Sequence, residues 1–212
     1  FILDEMITGF RWHLQGAAIY FGVEPDLSTF GKAMANGFSV AAVGGRREIM
    51  QVGATDTLGK ERTFLLSSTH GSEMSSLAAF VETVNIYREH DVVRHLWEYG
   101  KSLREGLIGI AKNLCLEEYF LLKGPDICLD YVLLDANGSI SLPLKTLFAQ
   151  EMIRHEVLMP WIAISLAHGT AELEITLTAA EESLKVVAQA LENGVENFLD
   201  GPAIKPVFRK NN

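Results

Sequence analysis

The chain has 212 residues, of which 48% are hydrophobic and 21% are charged, so it has the composition of a folded globular protein that can bury a sizeable core. Its formal net charge of -9 argues against general binding to nucleic acid or to an anionic membrane surface, because both would repel the average field of the protein. The two cysteines suggest neither a disulfide framework nor a four-ligand zinc site, and reduced thiols in the cytoplasm are expected.

The beginning of the chain has the pattern of an open α/β sheet. Residues 1–3 form a short apolar run closed by Asp4 and Glu5, which predicts an interior strand of a parallel sheet with polar groups at its carboxyl end. Ligands bind at that edge of such sheets. A second buried strand is predicted over 38–43, ended by the glycines at 44 and 45. Because the chain opens directly in a strand, without an initiator methionine, it is expected to lack an N-terminal part.

Two long helices are predicted in the middle of the chain, over 72–90 and 91–113, from the spacing of their apolar residues. No apolar stretch approaches the roughly 18 to 20 residues that span a bilayer. The second helix is expected to connect two domains. The predicted organisation is a portion of a large domain over 1–90, a connecting helix over 91–114, a small domain over 115–201 and a tail over 202–212.

The region after the connecting helix predicts a small α+β unit. Its expected elements are strands over 117–123 and 127–134, a helix over 143–156 and a strand over 161–166. Thr178, with Glu181 three residues later, has the form of a capping box, which predicts the start of the last helix at that point.

Asp4 and Lys32 carry the most informative chemistry in the sequence. A cofactor with an aldehyde on a pyridine ring needs a carboxylate that keeps the ring nitrogen protonated and an amine that reacts with the aldehyde. Asp4 ends a predicted buried strand, and Lys32 lies between Gly31 and Ala33, which leave room for a bulky ring. Each residue alone is a weak signal, because strand ends are usually polar and most lysines are solvated.

Other polar residues could support such a site. Glu5 and Arg11 are expected to form an ion pair behind Asp4. The segment 67–72, just before a predicted helix, offers hydroxyl and backbone N–H groups to a phosphate, although an ordinary helix-capping loop explains it equally well. The six histidines show no spacing that brings two of them onto one helix face, so no metal site is predicted.

An apolar strand that ends in Asp-Glu is also typical of the magnesium-binding strand of an ATPase, so an ATPase fragment is the leading alternative. Gly31-Lys32 is not itself a phosphate-binding P-loop, because Asp26 and Ala33 stand where a glycine and a hydroxyl residue are required.

Several blocks in the same order go beyond these single motifs. The run Phe-Ile-Leu-Asp-Glu-Met-Ile-Thr-Gly-Phe-Arg over 1–11, followed by the blocks at 21–27, 31–32 and 44–46, resembles the class III pyridoxal phosphate-dependent aminotransferases. Within them it is most similar to the glutamate-1-semialdehyde aminomutase-like branch. The resemblance implies an α/β fold: part of the large domain of a fold-type I transferase, with a mostly parallel sheet, followed by a small α+β C-terminal domain.

The resemblance also implies roles for four residues. Lys32 would be the catalytic lysine that binds pyridoxal 5'-phosphate through a Schiff base, and Asp4 would bind the pyridine nitrogen. Met6 would pack against one face of the ring, and Thr69 would reach the cofactor phosphate across a dimer interface. Ile7 stands where many members have a glutamine, which favours the aminomutase-like branch.

The activity implied is transfer of an amino group from a small-molecule donor to a carbonyl acceptor, or its migration within one molecule, by a cytoplasmic homodimer with its active site at the interface. Members of the family carry a further half of the large domain, with a phosphate-binding loop, before the matched strand. The 212 residues are therefore expected to be the C-terminal half of such an enzyme and to be inactive alone. A catalytically inactive relic of the fold is the other alternative, and the sequence does not identify the donor or the acceptor.

Overall fold

The structure is a computed structural model that describes residues 1–54, 59 and 73–205. The chain divides into two compact units, Phe1–His95 and Leu96–Asn212. The cofactor-binding and small-domain roles assigned to the two regions stay predictions. In the described part of the chain no helix combines the length and apolar character that crossing a membrane requires.

The first unit is built on a three-stranded sheet in the order β1-β2-β3. β1 (Ile2–Asp4) and β2 (Leu27–Phe30) are parallel, with Asp4 opposite Thr29, and β3 (Ala42–Gly45) is antiparallel to β2. The helices of this unit are α1 (Ala17–Phe21), α2 (Arg47–Met50) and α3 (Met74–Glu89). Since β1 and β2 are parallel, the residues that follow both strands emerge at the same edge of the sheet.

Two predictions about these strands need correction. β1 forms where expected, but it is an edge strand of the described sheet, and Phe1 and Ile2 are exposed. The buried strand predicted over 38–43 is wrong, because β3 begins at Ala42, includes both glycines and leaves Val43 exposed. A Cβ atom at Gly45 would lie 2.3 Å from the carbonyl oxygen of Asp26, so the glycine permits a close backbone approach to β2.

Phe10 joins the loop after β1 to its neighbours. Its ring lies edge-on to those of Phe30 on β2, Phe80 on α3 and Tyr87 on α3, with centroids 6.0–6.3 Å apart. The Tyr87 hydroxyl donates a hydrogen bond to the Phe10 carbonyl oxygen. These aromatic contacts hold the strand-end loop against β2 and α3, since edge-to-face rings at this spacing attract each other.

Helix α3 confirms the helix predicted over 72–90, but polar residues of the helix are buried while several of its apolar residues are exposed. The buried positions of the helix are Ser76 and Thr83, whereas Met74, Leu77 and Val81 are exposed. The spacing of the exposed residues places them on one face of the helix. This apolar stripe therefore faces solvent in the described chain.

The second unit packs most of α4 (Val92–Asn113) with a hairpin and two helices. The strands β4 (Phe120–Lys123) and β5 (Asp130–Leu133) are antiparallel, and α5 (Leu142–Arg154) and α6 (Thr170–Asn193) follow. Fully buried residues from these elements form one hydrophobic core: Leu107, Tyr131, Leu133, Leu147, Phe148 and Leu184. The predicted helix over 91–113, both predicted strands before residue 135 and the helix beginning near 143 are confirmed.

Helix α5 starts where its sequence favours a start. The Ser141 hydroxyl oxygen accepts a hydrogen bond from the backbone N–H of Leu144 at 3.2 Å, and Pro143 occupies the first turn. Such a cap satisfies one of the free donors of the first turn, and proline has no N–H to lose there.

Two predictions in the second unit are wrong. Residues 161–165 do alternate between exposed and half-buried side chains, with Ile162 and Ile164 packed against the core, but no strand pairs with the predicted segment 161–166 in the part of the chain described. Thr178 does not start the last helix. Helix α6 begins at Thr170, where the Glu172 carboxylate accepts a hydrogen bond from the Gly169 N–H at 2.8 Å, and Thr178 donates to a carbonyl within the helix.

Tyr131 connects this core to the irregular segment after α5. Its ring is fully buried beside Phe120 and Phe148, and its hydroxyl donates a hydrogen bond to the Met159 carbonyl oxygen at 2.8 Å. Burial raises the pKa of the Tyr131 hydroxyl, with a smaller contribution from the charge of Asp130. The neutral hydroxyl therefore stays a donor well into the alkaline range.

We predict that Tyr131→Phe lowers the free energy of unfolding by about 1–3 kcal/mol, because it leaves a buried carbonyl oxygen without its donor. Urea unfolding followed by circular dichroism measures the change. Tyr119→Phe is the matched control, since Tyr119 is only half-buried and no hydrogen bond of its hydroxyl is found among the described residues. Equal effects of the two substitutions would contradict the role of the Tyr131 hydroxyl.

Candidate functional site

Asp4 lies at the carboxyl end of β1. Its Oδ1 atom accepts two hydrogen bonds, one from the backbone N–H of Met6 at 2.9 Å and one from the hydroxyl of Thr29 at 3.2 Å. Both hydrogen bonds described for this carboxylate go to the same oxygen. The position of Asp4 at the end of a predicted buried strand suggested a buried carboxylate, which is wrong. The side chain is exposed, so Oδ2 is accessible to a ligand within the described chain.

Lys32 follows β2 at the same edge of the sheet. It is the first residue of a short 3-10 turn, Lys32–Met34, and its side chain is exposed while Gly31 and Ala33 are buried. Its φ of 45° is in the left-handed region, which is unfavourable for a residue with a Cβ atom. Strain of this kind is typical of positions that serve a function, because the surrounding structure has to maintain it.

Met6 and Gly31 bring the loop after β1 against the turn that holds Lys32. A Cβ atom at Gly31 would lie 2.5 Å from Cε and 2.9 Å from Sδ of Met6, so a larger residue there would require the end of the methionine side chain to move. Met6, which was predicted to contact a cofactor ring, therefore lies directly beside Gly31, the residue before the predicted catalytic Lys32.

The geometry places three of the four predicted residues at one edge of the sheet. Asp4 and the turn with Lys32 follow adjacent parallel strands, and Met6 contacts Gly31 between them. A pyridine ring with an aldehyde requires a carboxylate for its nitrogen and an amine for its aldehyde. The exposed carboxylate oxygen of Asp4 and the exposed Lys32 therefore fit pyridoxal phosphate. Thr69, and the whole segment 67–72 proposed for its phosphate, lie outside the described residues.

Glu5 has a role that the sequence did not reveal. Its side chain is only 1% exposed, and its carboxylate accepts hydrogen bonds from the backbone N–H groups of Ala17 and Ala18, both at 2.9 Å, and from the Thr8 hydroxyl. The predicted ion pair with Arg11 is wrong. The Glu5 carboxylate instead accepts hydrogen bonds from the free backbone N–H groups at the start of α1. The N-terminus of a helix also favours a negative charge.

Gly16 makes this contact possible. Its φ of 97° is in the left-handed region, and a Cβ atom there would lie 2.7 Å from Oε1 of Glu5. A glycine directly before two small residues was the available sequence signal for a close approach, but the signal does not identify the group that approaches. Glu5 and Gly16 together fix the backbone immediately after Asp4.

We predict that Gly16→Ala costs at least about 1 kcal/mol more unfolding free energy than Gly22→Ala. Gly16 has φ 97° and ψ 167°, a conformation open essentially to glycine alone, and a Cβ atom there would meet Glu5. Gly22 has φ 63° and ψ 35°, and nothing lies within 4 Å of a Cβ atom there, so the difference combines backbone strain at Gly16 with its collision with Glu5. Urea unfolding of both variants measures it. Equal losses of stability would contradict both the strain at Gly16 and its close contact with Glu5.

The second unit contains a hollow of about 430 Å³ lined by residues that include Tyr99, Trp161, His168 and Glu172. The rings of Tyr99 and His168 are 5.5 Å apart, and His168 Nδ1 accepts a hydrogen bond from the Ser165 N–H at 3.3 Å. Burial, and secondarily the charge of Glu172, raises the pKa of Tyr99. All the described residues that line this hollow belong to the second unit.

Comparison with known proteins identifies the fold first. The FumI protein of Sphingopyxis sp. MTA144, solved in a pyridoxal phosphate form, superposes with a TM-score of 0.76 at 22% identity, over 90% of this chain and 44% of that chain. An omega-transaminase from Sphaerobacter thermophilus superposes with a TM-score of 0.75 at 22% identity, over 88% of this chain and 44% of that chain. The chain therefore has the fold of these two proteins, as predicted.

The sequence identifies the family. The family described as aminotransferase class-III matches residues 1–117, more than half of the chain, and the chain belongs to it. A glutamate-1-semialdehyde 2,1-aminomutase from Methanocella arvoryzae is 30% identical over 88% of this chain and 45% of its own length. A 3-aminobutyryl-CoA aminotransferase from Cloacimonas acidaminovorans is 32% identical over 90% of this chain and 44% of its own length. The predicted family resemblance is confirmed, and the chain spans less than half the length of these relatives.

Proposed function

We propose that this chain contributes the cofactor-binding lysine and the ring-nitrogen carboxylate of a pyridoxal phosphate-dependent enzyme. The enzyme transfers an amino group from a small-molecule donor to a carbonyl acceptor, or moves it within one molecule. The observation that carries the proposal is the parallel pairing of β1 with β2, which brings Asp4 and the strained turn at Lys32 to one edge of the sheet. The named aminomutase and aminotransferase relatives support both forms of the reaction.

Each residue has a defined task in the proposed site. Bound pyridoxal phosphate supplies an electron sink that stabilises negative charge on the substrate carbon. The Asp4 carboxylate keeps the ring nitrogen protonated, because an opposite charge favours the cationic form. Lys32 would hold the aldehyde carbon through Nζ and, once released from it, would move a proton at that atom. Met6 excludes water from one ring face, and Thr69 binds the phosphate.

The proposal for the complete reaction includes residues beyond these 212. Because the chain spans less than half the length of its relatives, we propose that full activity requires the remainder of the class III fold and that the 212 residues alone are inactive. The ATPase alternative is set aside, since the family and the fold are those of aminotransferases. An inactive relic of the fold is the alternative that the following experiment tests.

We predict that pyridoxal phosphate followed by borohydride labels Lys32. Reduction makes the bond between Nζ and the cofactor carbon permanent, and peptide mapping locates it. Lys32→Ala should abolish this label, whereas Lys101→Ala, which changes an exposed helical lysine, should keep it. Label spread over the exposed lysines, or no label on Lys32, would contradict the proposed site and favour a relic.

We also propose that the enzyme is a cytoplasmic homodimer with its active site at the subunit interface. The resemblance assigns Thr69 to a site shared by two subunits, and the exposed apolar stripe Met74, Leu77 and Val81 supports a contact with a second copy. The two free, exposed cysteines are compatible with a reducing cytoplasm, and cell fractionation tests that location.

We predict that Val81→Asp weakens self-association, because a charge in an apolar interface has to be desolvated. Sedimentation equilibrium measures the dimer fraction, and Glu82→Lys, at an exposed neighbouring position, is the control for a change of charge. A wild-type chain that stays monomeric at every concentration, or equal effects of the two variants, would contradict this interface.

A further inference from the structure

Thr29 is the residue of β2 that lies directly opposite Asp4 in the parallel pair. It contacts the strand end twice. Its hydroxyl donates a hydrogen bond to Oδ1 of Asp4 at 3.2 Å, and its carbonyl oxygen accepts one from the backbone N–H of Glu5 at 2.9 Å. One residue therefore holds both the side chain of Asp4 and the backbone that follows it.

The two oxygens of Asp4 are treated differently by these contacts. Oδ1 is bound by the Thr29 hydroxyl and by the Met6 N–H, which lie on different elements. Two donors on one oxygen restrict rotation of the carboxylate about its bonds to the backbone, because either rotation breaks at least one hydrogen bond. No donor to Oδ2 is found in the described ranges, so the free lone pairs of the carboxylate are concentrated on that atom.

We infer that Thr29 is a positioning residue of the site: its hydroxyl fixes the Asp4 carboxylate so that Oδ2 is the oxygen available to the protonated ring nitrogen of pyridoxal phosphate. The inference rests on the proposed function. No hydrogen bond joins Thr29 to Lys32 among the described residues. Loss of the Thr29 hydroxyl should therefore weaken cofactor binding through Asp4 and leave the reaction at Nζ possible.

The choice of variants separates this role from a merely structural one. Thr29→Val replaces the hydroxyl by a methyl group of similar size and suits a strand, whereas Thr29→Ser retains a hydroxyl at the same position. Ser28→Ala is the matched control, because it removes a hydroxyl from the adjacent residue of β2, whose side chain points to the other face of the sheet. Asp4→Asn is the reference for loss of the carboxylate itself.

The first measurement needs no cofactor. Three-bond NMR couplings about the Cα–Cβ bond of Asp4 report whether its side chain occupies one rotamer. We expect a single rotamer in the wild-type chain, in Thr29→Ser and in Ser28→Ala, and averaging between rotamers in Thr29→Val. The same couplings in Thr29→Val and the wild-type chain would overturn the inference, whether or not the proposed function holds.

The second measurement follows pyridoxal phosphate binding by its absorbance. Thr29→Val should bind it about five-fold more weakly, the effect of losing one typical hydrogen bond, and Thr29→Ser should restore the affinity. The borohydride label should remain on Lys32 in every Thr29 variant. Absence of that label from the wild-type chain would contradict the proposed function. A label on Lys32 together with an unchanged affinity of Thr29→Val for pyridoxal phosphate would contradict only the role of Thr29.

Discussion

The register of β1 on β2 is the constraint on which the candidate site depends. Parallel pairing sets Asp4 opposite Thr29, and the chain then turns into Lys32 three residues later. A shift of one residue would move Asp4 to the other face of the sheet, because side chains alternate along a strand. The aromatic contacts of Phe10 and the buried carboxylate of Glu5 hold the loop directly after β1 in place. They therefore stabilise the register of β1 on β2 at the carboxyl end of the strands, where the candidate site lies.

Polar groups near the strand end divide into two sets with different physical roles. Glu5 is buried and fully engaged by backbone amides and a hydroxyl, so it contributes to the local structure. Asp4 and Lys32 are exposed, and Lys32 keeps an unfavourable backbone conformation. We therefore propose different roles for these adjacent acids: Glu5 anchors the backbone, and Asp4 is available to a ligand.

The sequence predicted the elements that follow from local patterns. The long helices α3 and α4 have clear apolar spacing, and the start of α5 has a proline and a cap, so their positions were predictable. The role of Glu5 was not, because it depends on amides that lie 12 and 13 residues away in the chain. Residues 161–165 alternate between exposed and half-buried side chains as a strand does. A strand also requires hydrogen bonds to a neighbouring strand, and alternation alone does not provide them.

The central claim is that Asp4 acts on the same ring that Lys32 binds. The most direct measurement is the ¹⁵N chemical shift of the ring nitrogen when the chain carries pyridoxal phosphate labelled at that atom. We expect a protonated nitrogen at neutral pH in the wild-type chain and an unprotonated one in Asp4→Asn, which retains the shape of the side chain without its charge. An identical shift in both proteins would contradict the account, because the carboxylate would then have no influence on the ring.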